Sequence, residues 1–312
     1  MDLSSKKVVV TGGCGFIGSH IVERAAGVGA EVIIIDNLIS GREENLNGID
    51  GNITFHRASV TEDIEKYMTG ADLIFHLAAN VFVAKSVEDP HYDAENNIKG
   101  ILNVLECARK LDIPKMVYSS SSAIYGDDVA VPTDENQPIS PSSPYGVSKY
   151  VGELYCRTYT DLYGIDTVAL RYFNVFGPRQ TGDNPYSGVI AIFIQNALDK
   201  KPLTIYGDGE QSRDFVGVRD VVEANISSAV KPNLKGEAFN IGTGSSITIN
   251  KLADIIESMA GKLEREYAPA RKGDIKCSTA DISRAQKVLG FSPTVSLEGG
   301  LEELFKLYQG KS

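Results

Sequence analysis

A short apolar run that leads directly into a glycine-rich turn constrains this fold more than any other feature. Lys7–Val10 is predicted to be a buried strand, and the segment Thr11–Gly18 that follows fits both Gly-x-Gly-x-x-Gly and Gly-x-x-Gly-x-x-Gly. Glycines at these spacings permit a tight turn and let the backbone approach a pyrophosphate. The helix expected next would direct its first amides at the phosphates. The pattern predicts a strand–turn–helix unit that holds a dinucleotide, although such a turn alone can be purely structural.

The next apolar run ends in an acidic residue, which strengthens this prediction. Asp36 follows the predicted strand Glu31–Ile35 and lies 18 residues after Gly18. A carboxylate at this position can accept hydrogen bonds from the adenosine ribose, and it repels a 2′-phosphate. We therefore predict a dinucleotide site that prefers NAD to NADP as its cofactor.

Alternation of apolar runs with amphipathic stretches predicts the fold class of the N-terminal half. Asp72–Phe75, Lys115–Tyr118 and Asp166–Leu170 lack polar alternation, as expected for strands of a parallel sheet that is covered on both faces. Asn97–Lys110 has the apolar spacing of a helix. The series predicts an α/β fold with a Rossmann-type doubly wound parallel sheet. The expected NAD-binding Rossmann domain spans residues 1–170, with later returns near 213–242.

The pattern changes after Arg171 and predicts a smaller, mixed α/β C-terminal domain, mainly residues 171–312. Phe173–Gly188 is rich in Gly, Pro and Asn, which predicts a long loop, and such loops are usually functional. Helices are expected at Val189–Asp199, Val221–Val230, Asn250–Met259 and Leu297–Tyr308. Short strands such as Leu203–Tyr206 and Ala238–Ile241 are expected between them.

Composition excludes several classes of partner. The chain of 312 residues has a net charge of −10, which disfavours binding to nucleic acid or to an anionic membrane surface. Its four cysteines and four histidines are scattered without the spacing of a metal site, so no metal is expected. No apolar run has membrane-spanning length, and the N-terminus lacks a signal-peptide core. We therefore expect a cytoplasmic protein.

A tyrosine and a lysine at helical spacing form the candidate proton-transfer pair. Tyr145 and Lys149 lie one turn apart in a predicted helix that Pro144 opens. The lysine ammonium and a positively charged nicotinamide would lower the tyrosine pKa from its free value of about 10. The phenolate could then accept a proton from a substrate hydroxyl. A surface pair of this kind is common, but the upstream cofactor turn favours the functional interpretation.

Serines at the end of a predicted strand form a second candidate group. Ser119–Ser122 directly follows Lys115–Tyr118, and ligands of such folds bind at the carboxyl ends of parallel strands. A serine there could hydrogen-bond both a substrate hydroxyl and the tyrosine. A polar turn between strand and loop is the alternative, and the motif alone does not indicate which serine matters.

These motifs together resemble the extended short-chain dehydrogenase/reductase family, specifically the UDP-sugar 4-epimerases, over essentially the whole chain. The N-terminal half carries the motifs of the extended family in Thr11–His20, Asp36–Leu38 with Ser40–Gly41, Phe75–Ala79, Asn97, Ser119–Gly126 and Tyr145–Lys149. The C-terminal half carries segments that look like the nucleotide-diphosphate pocket: Arg171–Pro178, Tyr206–Gly209 with Arg213–Phe215, and Arg271–Asp274. The resemblance implies NAD as cofactor, a UDP-sugar as substrate and a homodimer that pairs helices near Asn97–Lys110 and Tyr145–Tyr163.

The resemblance also implies residue roles, position by position. Cofactor contacts are expected from Gly12, Gly15, Phe16, Ile17, Asp36, Asn37, Ser40, Gly41, Ser59, Val60, Leu77, Ala78, Ala79, Asn97, Ser119, Tyr145, Lys149, Tyr172 and Val175. Substrate contacts are expected from Ser121, Ser122, Tyr145, Phe173, Asn174, Gly188, Val189, Thr204, Tyr206, Arg213, Arg271, Asp274 and Ser278. Asn174, Arg213 and Arg271 would hold the diphosphate, Asp274 the ribose, Val189, Thr204 and Tyr206 the uracil, and Phe173 the hexose. The alternative for Arg213 and Arg271 is a role in surface solubility.

The segment Ser121–Gly126 indicates which reaction is expected. Family dehydratases and the related decarboxylases carry Glu two residues before its tyrosine, often after an Asp in the dehydratases, whereas this chain has Ser122 and Ala123. Neither can act as an acid or a base near neutral pH, which disfavours elimination and leaves reversible oxidation at C4. Alignment on the tyrosine makes Ser121 the catalytic serine beside Tyr145 and Lys149. The 4-keto sugar would turn over in the pocket before it is reduced on its opposite face.

The identity of the sugar rests on a pocket residue and on an insertion. Ser278 stands where a tyrosine restricts family members to glucose and galactose, and Gln180–Ser187 resembles an insert of N-acetylhexosamine members. We therefore expect epimerisation of UDP-glucose and UDP-galactose, together with UDP-GlcNAc and UDP-GalNAc. A UDP-uronate 4-epimerase is a rival, although glucuronate enzymes often have Thr in place of Asn174. A 4-ketoreductase, a non-catalytic sensor and a structural partner protein are the other rivals, and sensors commonly lack the Tyr/Lys pair.

Overall fold

A computed structural model of the chain describes residues 3–127, 129–180, 188–270 and 275–310. Its strands are β1 (Lys7–Thr11), β2 (Glu31–Asp36), β3 (Asn52–Arg57), β4 (Leu73–His76), β5 (Lys115–Ser121), β6 (Asp166–Tyr172), β7 (Asn174–Phe176), β8 (Leu203–Tyr206), β9 (Ser212–Arg213), β10 (Phe215–Gly217), β11 (Glu237–Ile241), β12 (Ile247–Thr248), β13 (Arg265–Ala268) and β14 (Cys277–Ser278). Its helices are α1 (Phe16–Gly27), α2 (Glu65–Met68), α3 (Val83–Glu88), α4 (Pro90–Ala94), α5 (Gly100–Lys110), α6 (Pro144–Tyr163), α7 (Val189–Leu198), α8 (Val218–Val230), α9 (Ile249–Ala260), α10 (Ser283–Leu289) and α11 (Leu297–Gln309).

A seven-stranded sheet organises the fold. Its strand order is β11-β6-β5-β4-β1-β2-β3, and every neighbouring pair is parallel. The strand order reverses between β1 and β4, and such a switch point opens a crevice at the carboxyl ends of the strands. The predicted Rossmann-type fold class is confirmed. The turn after β1 therefore lies at the crevice, as does the loop after β4.

Strand β3 at one edge of the sheet was not predicted. It pairs with β2 from Asn52 opposite Glu31 to Arg57 opposite Asp36. None of its residues is fully buried, and its two apolar side chains alternate with polar ones. An edge strand therefore lacks the continuous apolar run that marks the covered inner strands. At the opposite edge, β11 pairs with β6 and so brings residues 237–241 back to the main sheet.

The C-terminal elements form a second apolar core. It is built mainly from helices α7, α9 and α11 with strand β8, and includes Phe176, Phe193, Ile205, Leu252 and Leu304. Three small sheets accompany it, pairing β7 with β10, β8 with β13, and β9 with both β12 and β14. Within the described residues no helix combines the length and the apolar character needed to cross a membrane.

Several predicted boundaries differ from the structure: β5 runs to Ser121 rather than Tyr118, and α8 begins at Val218 rather than Val221. The long loop expected at Phe173–Gly188 contains strand β7, which is too short to produce a recognisable pattern and is held by its pairing with β10. Residues 181–187 of that segment lie outside the described residues. The helix expected to begin at Asn97 begins instead with a π-helical turn, Glu95–Lys99, that leads into α5. Such turns insert an extra residue into a helix and are frequent at functional sites.

Candidate active site

A cleft of about 930 Å³ opens at the carboxyl ends of the parallel strands. Its walls include many residues expected from the sequence: Gly12, Gly15, Phe16, Ile17, Asp36, Asn37, Ser40, Gly41, Val60, Leu77, Ala78, Ala79, Ser119, Ser121, Tyr145, Lys149, Tyr172, Phe173, Val175 and Gly188. Residues that the sequence did not single out also line it, among them Asn80, Phe82, Lys85, Tyr92 and Arg179. The expected cofactor residues and the candidate proton-transfer group thus share one cleft.

The glycine-rich turn provides a close backbone cradle at one end of this cleft. Gly12 has φ +72°, and a Cβ there would lie 2.7 Å from the Ala78 nitrogen. A Cβ on Gly18 would lie 2.1 Å from the Gly12 carbonyl oxygen. Gly15 precedes helix α1 without a side-chain cap, so no side chain covers the first helical amides. A side chain at these positions would fill the space, which fits the approach of a dinucleotide pyrophosphate.

Asp36 closes the adenosine side of the cradle. Its carboxylate accepts hydrogen bonds from the Cys14 amide at 2.9 Å and from the Leu38 amide at 2.8 Å. Burial raises the pKa of Asp36, and these two amides oppose that rise. A Cβ on Gly41 would lie 2.9 Å from both carboxylate oxygens, so only glycine leaves this approach open. The arrangement orients a carboxylate that can accept from ribose hydroxyls, as NAD requires.

The start of helix α6 brings Tyr145 to Ser121. The Ser143 side chain caps the helix by accepting from the Gly146 amide at 3.2 Å. A Cβ on Gly146 would lie 2.5 Å from the Ala123 carbonyl oxygen, so the helix begins tightly against the 3₁₀ turn Ser122–Ile124. This close packing brings the Ser121 hydroxyl close enough to the Tyr145 phenol to affect its pKa.

Lys149 lies one turn along α6 and is fully buried. Its ammonium donates to the Ser119 carbonyl oxygen at 3.0 Å and lies 5.8 Å from the centroid of the Tyr145 ring. Burial lowers the pKa of Lys149 to about 8, although the negative charge of Asp93 opposes this change. The lysine therefore has a lower affinity for its proton than an exposed lysine has.

The expected lowering of the tyrosine pKa involved the lysine together with a positively charged nicotinamide, and the groups of the protein alone do not produce it. Burial raises the pKa of Tyr145 to about 12; the hydrogen bond with Ser121 lowers it in part, and the charge of Asp93 raises it further. Sequence spacing revealed the lysine but not the burial, and burial opposes ionisation of the phenol. The phenol thus needs a further positive charge before it can act as a base near neutral pH.

A buried polar cluster behind the tyrosine was missed by the sequence analysis. The Asp93 carboxylate accepts from the Asn80 side chain at 2.8 Å and from the Asn97 side chain at 3.1 Å. Asn97 also donates to the Ser148 hydroxyl at 3.0 Å. Asn97, which was expected as a cofactor contact, joins Asp93 to Ser148 through its side chain. The available signal was Asn80, because it follows the carboxyl end of β4, where ligands bind in such folds.

Arg171 does not lie in the nucleotide pocket suggested by its motif. It forms a buried ion pair with Glu153, with 2.8 Å between Nη2 and Oε2 and side chains that are each 7% exposed. Glu153 also accepts from the Ser120 hydroxyl at 2.5 Å, and Arg171 donates to the Tyr125 hydroxyl at 2.7 Å. Through the Ser120 hydrogen bond, the ion pair therefore holds β5, the strand that carries Ser119 and Ser121.

The expected nucleotide residues gather on the small sheets. Asn174 on β7 donates its side-chain amide to the Asp214 carbonyl oxygen at 3.2 Å. Arg213 on β9 donates to the Ile275 carbonyl oxygen at 2.6 Å. Ser278 on β14 pairs directly opposite Arg213 in the small sheet. Arg271 and Asp274 lie outside the described residues. These contacts bring Asn174, Arg213 and Ser278 to one neighbourhood.

The remaining expected residues do not line the cleft walls directly. Thr204 and Tyr206 lie on β8, and Val189 is the first residue of α7. Ser122 lies in the 3₁₀ turn, and the Ser59 hydroxyl is 2.9 Å from that of Thr61. The described residues contain no group of three or more His, Cys, Asp or Glu able to hold a metal ion.

Comparison with known proteins gives one family match and a set of full-length relatives. Residues 8–242 match the NAD dependent epimerase/dehydratase family. The chain is 37% identical over 314 residues to the UDP-glucose 4-epimerase of Mycolicibacterium smegmatis, covering 98% of this chain and 99% of that protein.

Two solved structures share the fold along their whole length. One is the UDP-N-acetylglucosamine 4-epimerase from Methanobrevibacter ruminantium in complex with UDP-N-acetylmuramic acid, with a TM-score of 0.95 and 42% identity over 99% of this chain and 100% of that one. The other is the UDP-glucuronic acid 4-epimerase from Bacillus cereus in complex with UDP-glucuronic acid and NAD, with a TM-score of 0.91 and 33% identity over 98% of this chain and 100% of that one.

The family predicted from the motifs is confirmed by these matches. The cradle at Gly12 and Gly18 and the carboxylate of Asp36 also fit the cofactor of that family. The chain belongs to the NAD dependent epimerase/dehydratase family and is an NAD-dependent enzyme of UDP-sugars.

Proposed function

We propose that the protein catalyses the reversible 4-epimerisation of UDP-hexoses. The observation that carries this proposal is the Ser121–Tyr145–Lys149 group beside a 3₁₀ turn that contains Ser122 and Ala123 but no carboxylate. Elimination next to a 4-keto group needs an acid and a base at that turn. Because this turn contains neither an acid nor a base, the reaction left to the Ser121–Tyr145–Lys149 group is proton transfer at a single sugar hydroxyl. This supports oxidation and reduction at C4.

Tyr145, Ser121 and Lys149 have separate roles in the proposed reaction at C4 of the sugar. Tyr145 Oη removes the proton from the 4-hydroxyl, oriented by the hydroxyl of Ser121, and later returns it. The buried ammonium of Lys149 stabilises the phenolate. NAD, when bound, supplies the redox step by accepting a hydride from C4 and returning it. We propose that Asn174, Arg213 and Arg271 hold the diphosphate while the keto sugar turns over.

A product assay tests this proposal directly. The purified protein is incubated separately with UDP-galactose, UDP-GalNAc and UDP-glucuronate without added reductant, and both epimers of each sugar are followed by anion-exchange chromatography. Parallel reactions contain NADH, whose absorbance is followed. Conversion of either sugar without net consumption of NADH supports an epimerase. Conversion of UDP-glucuronate alone would favour a uronate 4-epimerase, a rival supported by similarity to the B. cereus enzyme. Stoichiometric use of NADH would instead indicate a 4-ketoreductase.

Ser278 gives a prediction about the breadth of the substrate pocket. Its side chain is small and buried, with 8% exposed, so we propose that it leaves room for an N-acetyl group. We expect Ser278→Tyr to lower kcat/KM for UDP-GalNAc at least tenfold relative to UDP-galactose, since overpacking one buried position costs roughly 1–3 kcal/mol. Parallel kinetics with the two substrates measure that ratio.

The neighbour Cys277 provides a matched control for this prediction. Cys277 is exposed on the same strand, and successive strand residues point to opposite faces. Cys277→Tyr should leave the ratio of the two kcat/KM values unchanged. Equal losses on both sugars in Ser278→Tyr would contradict the pocket argument while leaving the epimerase reaction intact.

We also propose that the enzyme is a homodimer that buries part of helix α6. Val147, Leu154 and Leu162 are 46%, 48% and 67% exposed and are spaced seven and eight residues apart, so they share one helix face. Sedimentation velocity should give about twice the 33.7 kDa chain mass, and Leu154→Glu should reduce it to that of one chain. A wild-type protein that sediments as one chain would refute the dimer.

A further inference from the structure

Asp93 is a buried carboxylate with no role in the reaction described above. Its side chain is only 1% exposed, at the end of the short helix α4. It accepts hydrogen bonds from two neutral amides, those of Asn80 and Asn97. It makes no salt bridge within the described part of the chain, although a buried carboxylate is costly without a compensating charge.

A chain of hydrogen bonds connects Asp93 to the backbone of the candidate base. Asn97 accepts from the Asn80 amide at 2.6 Å and donates to the Ser148 hydroxyl at 3.0 Å. Ser148 in turn donates to the Tyr145 carbonyl oxygen at 3.0 Å. The π-helical turn places Asn97 at this junction. The chain thus joins the loop after β4, the segment before α5 and the first turn of α6.

Lys149 is a buried cation that forms no salt bridge with any residue that the structure describes. Its ammonium donates to a backbone carbonyl and faces the rings of Tyr118 and Tyr145 at 5.3 and 5.8 Å. Asp93 acts electrostatically on Lys149, Tyr145 and Tyr118. Asn97 also joins Asp93 to Ser148, the residue directly before Lys149 on α6. The two opposite charges therefore belong to one buried cluster, and each is held by neutral groups.

The other titratable groups around this pair do not supply the missing charge. Glu153 on α6 is paired with Arg171, and Lys85 on α3 stacks over Tyr92 on α4 at 5.9 Å. On β4, burial and the charge of Lys149 lower the pKa of His76 to about 3, so this ring is neutral. On β6, burial raises the pKa of Tyr172 to about 12, and on β5 burial raises that of Tyr118 well above its ordinary value. Asp93 remains as the negative charge that balances Lys149.

We propose that Asp93 is the buried counter-ion of Lys149 and a positioning residue for Tyr145, acting through Asn97 and Ser148. Asp93 keeps Lys149 protonated in a site whose burial favours the neutral amine. The hydrogen bond that Asp93 accepts from Asn97 fixes the Asn97 amide, and with it the position of the π-helical turn relative to the start of α6. This inference rests on the proposed epimerase reaction, in which Lys149 must be charged and Tyr145 must lose its proton.

Charge deletion at Asp93 has a defined effect on the pH dependence of kcat. A neighbouring carboxylate favours the protonated form of both groups, so Asp93→Asn lowers the pKa of Tyr145 and of Lys149. Tyr145 must be deprotonated to act, which sets the acid limb, and Lys149 must be protonated, which sets the alkaline limb. We expect both limbs of the profile to move to lower pH by about one unit, the size of change that a nearby buried charge produces.

A measurement on the ligand-free protein tests the same pairing without catalysis. The pKa of Lys149 in the folded chain, about 8, lies below its ordinary value of 10.5. Lys149 therefore lowers the free energy of unfolding while it is protonated in the folded chain. That free energy increases as the pH rises between those two values. In Asp93→Asn this increase begins at lower pH, so the melting temperature should rise more steeply with pH below 8 than in the wild type.

Glu95→Gln is the matched control because Glu95 is two residues away, exposed, and pairs with Lys99 on the surface. It should leave both the kcat profile and the melting profile at their wild-type positions.

Asp93→Glu retains the charge but alters the geometry, so it should lower kcat and leave both limbs of the pH profile in place. A loss of kcat in Asp93→Asn with neither profile displaced would overturn the counter-ion and leave a packing role. If Asp93→Asn does not fold, the test rests on the pH profile of kcat in Asp93→Glu. Displacement of either limb of that profile from its wild-type position would refute the proposal. A wild type that epimerises no UDP-sugar would refute the proposed reaction, while the melting profiles would still test the Asp93–Lys149 pair.

Discussion

Tyr145→Phe should reduce epimerisation of UDP-galactose by roughly 10²- to 10⁴-fold, the usual contribution of a positioned acid–base group. The change removes only the phenol hydroxyl, whose pKa Ser121 affects, and it leaves the ring near Lys149. The loss should appear in kcat rather than in KM, because the proton is transferred in the reaction and not on binding. Initial rates over a range of UDP-galactose concentrations measure both constants.

Tyr155→Phe is a suitable control for the loss of a tyrosine hydroxyl from the same helix. Tyr155 lies on α6 and packs against the apolar core that includes Cys156 and Tyr159, and it is not among the residues that line the cleft. It should retain wild-type kcat. The bound NAD of each preparation is measured after denaturation, so that a loss of cofactor is not mistaken for a loss of the base. A Tyr145→Phe enzyme that carries NAD and keeps more than a tenth of the wild-type kcat would exclude Tyr145 as the proton acceptor.

The burial of Tyr145 gives this prediction a further consequence. In the protein alone its pKa is raised to about 12, far above the pH at which a sugar hydroxyl would have to be deprotonated. A positive charge brought by the oxidised cofactor stabilises the phenolate and lowers that pKa. We therefore expect Tyr145 to act as a base when oxidised cofactor is bound, which would couple proton removal to the state in which the redox step can occur.

Much of the fold followed from sequence because its inner strands are buried on both faces. The residues of β1 after Lys7 and all those of β4 are buried, so these strands appear as unbroken apolar runs. Strand β3 alternates because it lies at the edge, and β7 and β9 contain only three and two residues. Elements held by a partner strand rather than by their own pattern leave little trace in sequence.

The candidate site could be predicted only where function depends on a local motif. The glycine turn, Asp36 and the Tyr145–Lys149 pair are each set by spacing along one segment, and all of them line the cleft. The Asp93 cluster was missed because its members come from separate segments and meet only after folding. Arg171 opens a segment that resembles the nucleotide pocket, but the motif does not reveal that Arg171 itself is buried in an ion pair with Glu153.

The buried pair of Arg171 and Glu153 provides the largest expected effect on stability. Arg171→Met removes the cation and leaves the Glu153 carboxylate, whose side chain is 7% exposed, without its ion-pair partner. Breaking a buried pair in this way costs about 3–5 kcal/mol of the free energy of unfolding. Chemical denaturation of the ligand-free protein, followed by circular dichroism, measures the loss.

Two controls separate the charge from the packing. Arg24→Met removes one partner of an exposed pair, in which Arg24 and Glu223 are 39% and 56% exposed, and should cost less than about 1 kcal/mol. The double variant Arg171→Met/Glu153→Gln also removes the stranded carboxylate, so it should recover most of the stability lost in Arg171→Met. If the double variant is as unstable as the single one, packing and the Tyr125 hydrogen bond stabilise this region rather than the ion pair. Recovery would show that Glu153 tolerates burial only because Arg171 balances its charge, the same relation that we infer between Asp93 and Lys149 on the other side of β5.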